Sequence, residues 1–154
     1  MRRMDATHRF VADLRWTGDR GSGTSGPRDF GRDHVVSVAG KPDILGSAAR
    51  VFHGDVDRWN PEELLVAALA QCHMLSLLYV ATRTGVVVTA YEDAAEGVLE
   101  TSPDGSGRFR EVVLRPRVGF AAPPPDAAAL HEEAHRLCFI ANSVNFPVRV
   151  EPAD

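Results

Sequence analysis

The chain has 154 residues, 44% of them hydrophobic, with 17 basic against 21 acidic side chains and a net charge of −4. A chain this long supports one domain with a real core, burying about two thirds of its unfolded surface, so a single domain over residues 1–154 is expected. The acidic balance offers no broad positive face to a phosphate backbone, and nucleic acid is excluded as an expected partner.

The N-terminus, MRRMDATHRFVADLRW, carries basic residues but lacks the apolar stretch of about 7–15 residues that a secretory signal needs, which predicts a cytoplasmic location. Residues 8–16 and 33–38, HRFVADLRW and DHVVSV, are short, β-branched and partly alternating. They predict a hairpin whose strands are joined by the Gly-rich TGDRGSGTSGPRDFG. Residues 39–59 show no sustained period and several Gly, Pro and Asp punctuators, so they predict an irregular surface connection, long enough to carry a site.

Asn60 is a good N-cap, Pro61 occupies the favoured first helical position, and Glu62 and Glu63 place negative charge on the positive end of the helix dipole. The helix is expected to run to about Thr84, with Gly85 ending it. Its apolar run from Leu64 to Ala81 reaches only the short limit of the roughly 17–25 residues that span a bilayer and contains Gln71, His73 and Ser76. It reads as a buried helix, with no membrane partner. Apolar residues cover nearly its whole circumference, and such a helix needs cover on every side. A few short strands from one chain wrap only part of that cylinder, which predicts a homodimer with two-fold symmetry.

Beyond Gly85, residues 86–100 and 108–120 read as two strands joined by the turn TSPDGSG. AAPPPD breaks the chain, Asp126 caps a second helix expected to reach about Ala141 or Ser143, and FPVRVEP closes as a short strand. The order ββαββαβ predicts an α+β domain with mainly antiparallel sheet.

Chemistry concentrates in few side chains. The two cysteines, Cys72 and Cys138, lie 66 positions apart, too few and too distant for a disulfide framework or a four-thiolate zinc site. Alone, each reads as a small buried hydrophobe; brought together by the fold, they would form a redox pair. Arg20, in the Gly-rich turn, and Glu62, at the helix start, are a charged pair of the kind that activates a thiol. A guanidinium favours the thiolate and can fork onto a carboxylate, although each charge taken separately reads as a solvated surface group. Ten residues of helix put Glu62 about 15 Å along the axis from Cys72. Either the helix bends near Gln71 or the carboxylate comes from the partner subunit.

HEEAH, residues 131–135, matches the zinc-protease pattern H-E-x-x-H, but only 19 residues follow it and a third ligand is poorly placed. His131, His135 and Cys138 fall on one helical face and form a candidate zinc set. The alternative is a pair of partly exposed polar histidines beside a core stripe. His73 points about 100° away from Cys72 around the helix, so it lines a pocket or finds a backbone acceptor. Trp16 and Trp59 flank the site segments; Trp59, Phe139 and His73 are candidates for lining an apolar substrate pocket.

TGDRGSGT resembles the GGR-type turn, NPEELLVAALAQC the NPEQL-type helix start with its spaced cysteine, and LCFIANS the second-cysteine helix of the OsmC/Ohr proteins. The resemblance covers most of the chain. It implies an OsmC-like fold in which antiparallel sheets wrap a long central helix, assembled as an intertwined homodimer with sites at the interface. It also implies a thiol peroxidase that reduces organic hydroperoxides to alcohols, with Cys72 as the peroxidatic thiol and Cys138 as the resolving one. Arg20 and Glu62 become the activating pair, with Arg28 or Arg32 as alternatives to Arg20. A lipoyl-type dithiol is the implied reductant, and no cofactor or metal is implied. The chain departs from the hydroperoxide-resistance branch in having Phe139, where that branch usually has proline after the second cysteine. Two other readings stand beside it: a module holding an apolar ligand with both cysteines inert, and a metal-binding protein using His131, His135 and Cys138.

Overall fold

The computed structural model describes residues 6–154; the N-terminal reading on targeting rests partly on residues 1–5, outside that range. Helix α1 (Pro61–Thr84) starts where its capping chemistry allows: the Asn60 side-chain oxygen accepts from the Glu63 N–H at 2.8 Å, satisfying one orphan donor of the first turn. It ends at Gly85, whose φ of 73° is the left-handed conformation that glycine adopts without penalty. The Val86 N–H then reaches back to the Ala81 carbonyl at 2.9 Å, closing the end as a Schellman motif. The helix is unbroken through Gln71.

The chain divides into two units, one ending at Glu63 and the other beginning at Leu64. In the N-terminal unit, β1 (Asp13–Trp16), β2 (His34–Ser37) and β3 (Ile44–Gly46) form an antiparallel sheet in that order. The first strand is shorter than its sequence suggests. Its pairing starts at Asp13 opposite Ser37, where β2 ends, so residues 8–12 have no ladder partner. The connection over residues 39–59 is also more ordered than expected. It contributes β3, which pairs with β2, and a 3₁₀ turn at Arg50–Phe52. Trp59 returns to the edge of β3, with Ser47 N–H on the Trp59 carbonyl at 2.8 Å and Trp59 N–H on the Leu45 carbonyl at 3.1 Å.

In the C-terminal unit the two long strand segments each break once. The chain forms β4 (Val88–Asp93), β5 (Glu96–Thr101), β6 (Gly107–Leu114) and β7 (Pro116–Phe120). β4 pairs with β7, and β5 with β6, both antiparallel. At the break, Asp93 Oδ1 accepts the Arg115 N–H at 2.8 Å, a side-chain acceptor replacing a ladder bond. The break lets one hairpin serve two cores. Around β4 and β7, Leu77, Val80 and Ala81 of α1 pack on Leu130 and Ala134 of α2 (Ala127–Leu137). Around β5 and β6, Leu69 packs on Val112 and Leu114. Strand β8 (Val148–Val150) adds to β6 in parallel, the one departure from antiparallel pairing among the named strands. Asp126 caps α2 by accepting the Ala129 N–H at 2.9 Å. The helix stops at Leu137 instead of near Ala141, because Cys138 turns extended (ψ 111°) before a 3₁₀ turn at Ala141–Ser143.

Length and composition alone would let α1 cross a bilayer; in this fold its buried stripe, Leu69, His73, Leu77, Val80 and Ala81, packs on protein. The expectation of burial all round is not met within one chain. Leu75 and Tyr79 remain 60% and 53% exposed, on a stripe one helical turn apart.

Candidate active site

The early end of α2 shapes the thiol site. Once Cys138 leaves the helix, the following amides are freed from helical bonding. The Ile140 N–H points at Cys72 Sγ and the Ala141 N–H at Cys138 Sγ, each at 3.5 Å. Cys138 is 1% exposed, while Cys72 is half-buried. Both are free thiols, and the successive amides that face them bring the two sulfurs into one site. Burial, with the neighbouring Cys72 thiol as a lesser contributor, pushes the Cys138 thiol up to about 11. Cys138 therefore holds its proton at neutral pH and can donate it toward Cys72, whose sulfur already accepts a backbone N–H. The fold thus joins two thiols that are remote in sequence.

His73 faces the other way. It is fully buried, and its Nε2 lies 3.1 Å from His131 Nδ1. The two rings are parallel within 5°, with centroids 5.4 Å apart. Since the nitrogens approach more closely than the centroids, the rings lie end to end along a hydrogen bond and not face to face. His73 therefore lines no substrate cleft: it is a core residue paired with another. His131 is drawn into that pair, away from any set shared with His135 and Cys138. Among the described residues no group of three or more His, Cys, Asp or Glu is placed to hold a metal ion.

Burial, reinforced by the neighbouring His131 and His135, holds His73 down at about 4, and burial also lowers His131. The unfolded chain takes up a proton on His73 near 6.5, whereas the native core refuses it until about pH 4. Between those values the unfolded state binds more protons, so stability rises with pH across the window and is insensitive to this group above it. The loss on full protonation is on the order of 3 kcal/mol. Urea midpoints should fall steadily from pH 6.5 downward; a flat profile would contradict a neutral buried pair.

The N-terminal unit holds a cleft of about 500 Å³ whose lining includes Trp16, Phe30, Arg32, His34, Phe52 and Glu62. Trp16 Nε1 donates to the Gly31 carbonyl at 2.8 Å, and its ring meets Phe30 edge-on at 6.0 Å. Glu62 is half-buried, and its Oε2 is buried without a hydrogen-bond partner. Of the candidate arginines, Arg32 lines this cleft with Glu62, and it also borders the polar pocket lined by Arg20 and Arg28. Trp16, not Trp59, forms the aromatic wall; Trp59 is 50% exposed and held through its backbone. Phe139 is 80% exposed, beside the thiols in sequence but in neither core. Phe30, His34 and Phe52 lie in segments read from the sequence only as loop and strand. The sulfur-facing amides of Ile140 and Ala141 have no side-chain signature that a sequence could show.

The family described as OsmC-like protein matches residues 53–153. Among solved structures, an OsmC-like protein of unknown function from Vibrio cholerae O1 biovar eltor is 31% identical, with a TM-score of 0.85, covering 96% of this chain and 100% of that one. An organic hydroperoxide resistance protein OsmC from Legionella pneumophila shares the fold at 20% identity, with a TM-score of 0.73 over 96% of this chain and 100% of that one. The uncharacterized protein YmaD of Bacillus subtilis is 23% identical over 95% of this chain and 93% of its own length. With an α+β architecture of sheets and a long helix shared with these structures, and a family match across both cysteine segments, the chain belongs to the OsmC-like protein family.

Proposed function

We propose that this protein is a thiol-dependent peroxidase acting on organic hydroperoxides. The observation that carries the reading is that two free thiols 66 residues apart in sequence are brought onto the successive amides of Ile140 and Ala141. Cys72, the more accessible of the two, attacks the distal peroxide oxygen as thiolate. The O–O bond breaks, the sulfur is oxidised to sulfenic acid, and the alkoxide takes a proton and leaves as alcohol. The Cys138 sulfur then attacks Cys72 Sγ, water leaves, and the disulfide forms. A dithiol of lipoyl type reduces it through a mixed disulfide, restoring both thiols and becoming a cyclic disulfide itself. The Ile140 N–H stabilises the attacking thiolate as a dipole aimed at sulfur.

The activating roles of Arg20 and Glu62 rest on the family resemblance alone, with Arg28 and Arg32 as the alternatives. Replacing each arginine in turn and titrating the Cys72 thiolate identifies the one that matters. The exposed Leu75 and Tyr79 on α1 support a homodimer that covers them; a monomer at sedimentation equilibrium would remove that assignment. A second reading, an apolar-ligand binder with inert cysteines, draws support from the largely apolar cleft in the N-terminal unit.

One measurement separates the two. One equivalent of cumene hydroperoxide added to the reduced protein should consume two thiols per chain and yield a Cys72–Cys138 peptide in the digest. Thiols that remain fully titratable would remove the peroxidase reading and leave the binder.

A further inference from the structure

The Gly-rich segment between β1 and β2 carries three arginines and three aspartates: Arg20, Arg28 and Arg32 against Asp19, Asp29 and Asp33. Opposite charges so close in sequence would be expected to pair; Asp33 Oδ1 and Arg20 Nη2 do come near each other beside Gly31, but the other two aspartates turn elsewhere. Asp19 Oδ1 accepts the N–H groups of Gly21 and Gly23, both at 2.9 Å, and these bonds hold its carboxyl below its ordinary value. Asp29 accepts the Ser25 hydroxyl at 3.3 Å. None of the three arginines forms an ion pair among the described residues. All three instead line one polar pocket of about 460 Å³, together with His53 and a single acid, Asp55.

Arg32 joins this pocket to the apolar cleft. With Phe30 and Gly31 it lines both. Its guanidinium carbon sits 4.1 Å from the Phe30 ring centroid, and its Nη1 donates to the Phe30 carbonyl at 2.9 Å. Stacking and that bond hold the plane of the fork while leaving other N–H groups to a ligand. The shared wall is itself tied down, since the Gly31 N–H donates to the Gly18 carbonyl at 2.8 Å and the Gly31 carbonyl accepts from Trp16.

Three guanidinium groups, against Asp55 in the lining and Asp33 beside it, leave a net positive charge. A carboxylate offers two oxygens and a single charge. A phosphate monoester carries about −1.5 to −2 at pH 7 with three acceptor oxygens, the geometry that arginine forks match. In the apolar cleft the Glu62 carboxylate, whose Oε2 has no hydrogen-bond partner, repels an anion, so charge favours the head in the arginine pocket. We propose that the N-terminal unit binds a phosphate monoester with an apolar tail, the head held by Arg20, Arg28 and Arg32 and the tail between Trp16 and Phe52.

The test is titration calorimetry of the reduced protein, without peroxide, against octyl phosphate, octanoate and inorganic phosphate; it stands or falls apart from the thiol chemistry. Octyl phosphate should bind at least about ten-fold more tightly than either of the others, because only it satisfies both cavities. Arg20→Ala and Arg28→Ala, both at exposed positions, should each weaken it by about ten-fold and flatten its salt dependence. Arg32→Lys, which keeps the charge but loses the fork, should weaken it as well. Circular dichroism confirms that the variants remain folded. Octanoate binding as tightly as octyl phosphate, inorganic phosphate doing so, affinity unchanged in Arg28→Ala, or no saturable binding of octyl phosphate would each overturn the proposal.

Discussion

Replacing Cys72 by serine should abolish turnover of cumene hydroperoxide with a lipoyl dithiol, a loss of at least about a thousand-fold, because a hydroxyl at neutral pH does not replace a thiolate nucleophile. Cys138→Ser should behave differently. It keeps the attacking sulfur and the Ile140 N–H that faces it, so the first equivalent of peroxide is still consumed. The sulfenic acid then has no resolving partner and accumulates, to be trapped by a dione reagent and read by mass spectrometry. The asymmetry follows from burial: Cys138 is closed to solvent and protonated, whereas Cys72 is half-open. Equal loss of the first, stoichiometric step in both variants would overturn the assignment of roles.

Leu77→Ala should cost about 3 kcal/mol and lower the melting temperature by roughly 6–12 °C. Leu77 is fully buried where α1 meets α2, with Val80, Ala81, Leu130 and Ala134 around it. Two helices and a strand pair fix those neighbours, so the cavity cannot collapse freely. The comparison is made at one protein concentration, because association would couple stability to it. Leu14→Ala, at a position 71% exposed in the N-terminal unit, should change stability by no more than about 0.5 kcal/mol. Equal effects of the two substitutions would mean that the core around Leu77 is not packed as described.

The legible parts of this chain are those whose causes are local. Asn60, Pro61, Glu62 and Glu63 announce the start of α1, and Gly85 its end, because capping acts within one turn of backbone. Asp126 announces α2 in the same way. The end of α2 was not readable, since Leu137–Cys138–Phe139 contains no glycine or proline. The helix stops because Cys138 is drawn toward Cys72 and the 3₁₀ turn that follows. Nor was the break in the hairpin at Asp93 and Arg115 readable, for it answers to two cores lying on either side of it.

By itself the sequence determined where the two helices start, the long apolar helix and the presence of two thiols, because propensity and periodicity are properties of neighbouring residues. Only the tertiary structure decided that Cys72 meets Cys138, that His73 spends its ring on His131, and that three arginines of one loop line a single pocket. Those outcomes depend on which distant segments share the same space. Burial and desolvation, which set the proton on Cys138 and deny one to His73, exist only once that space is enclosed.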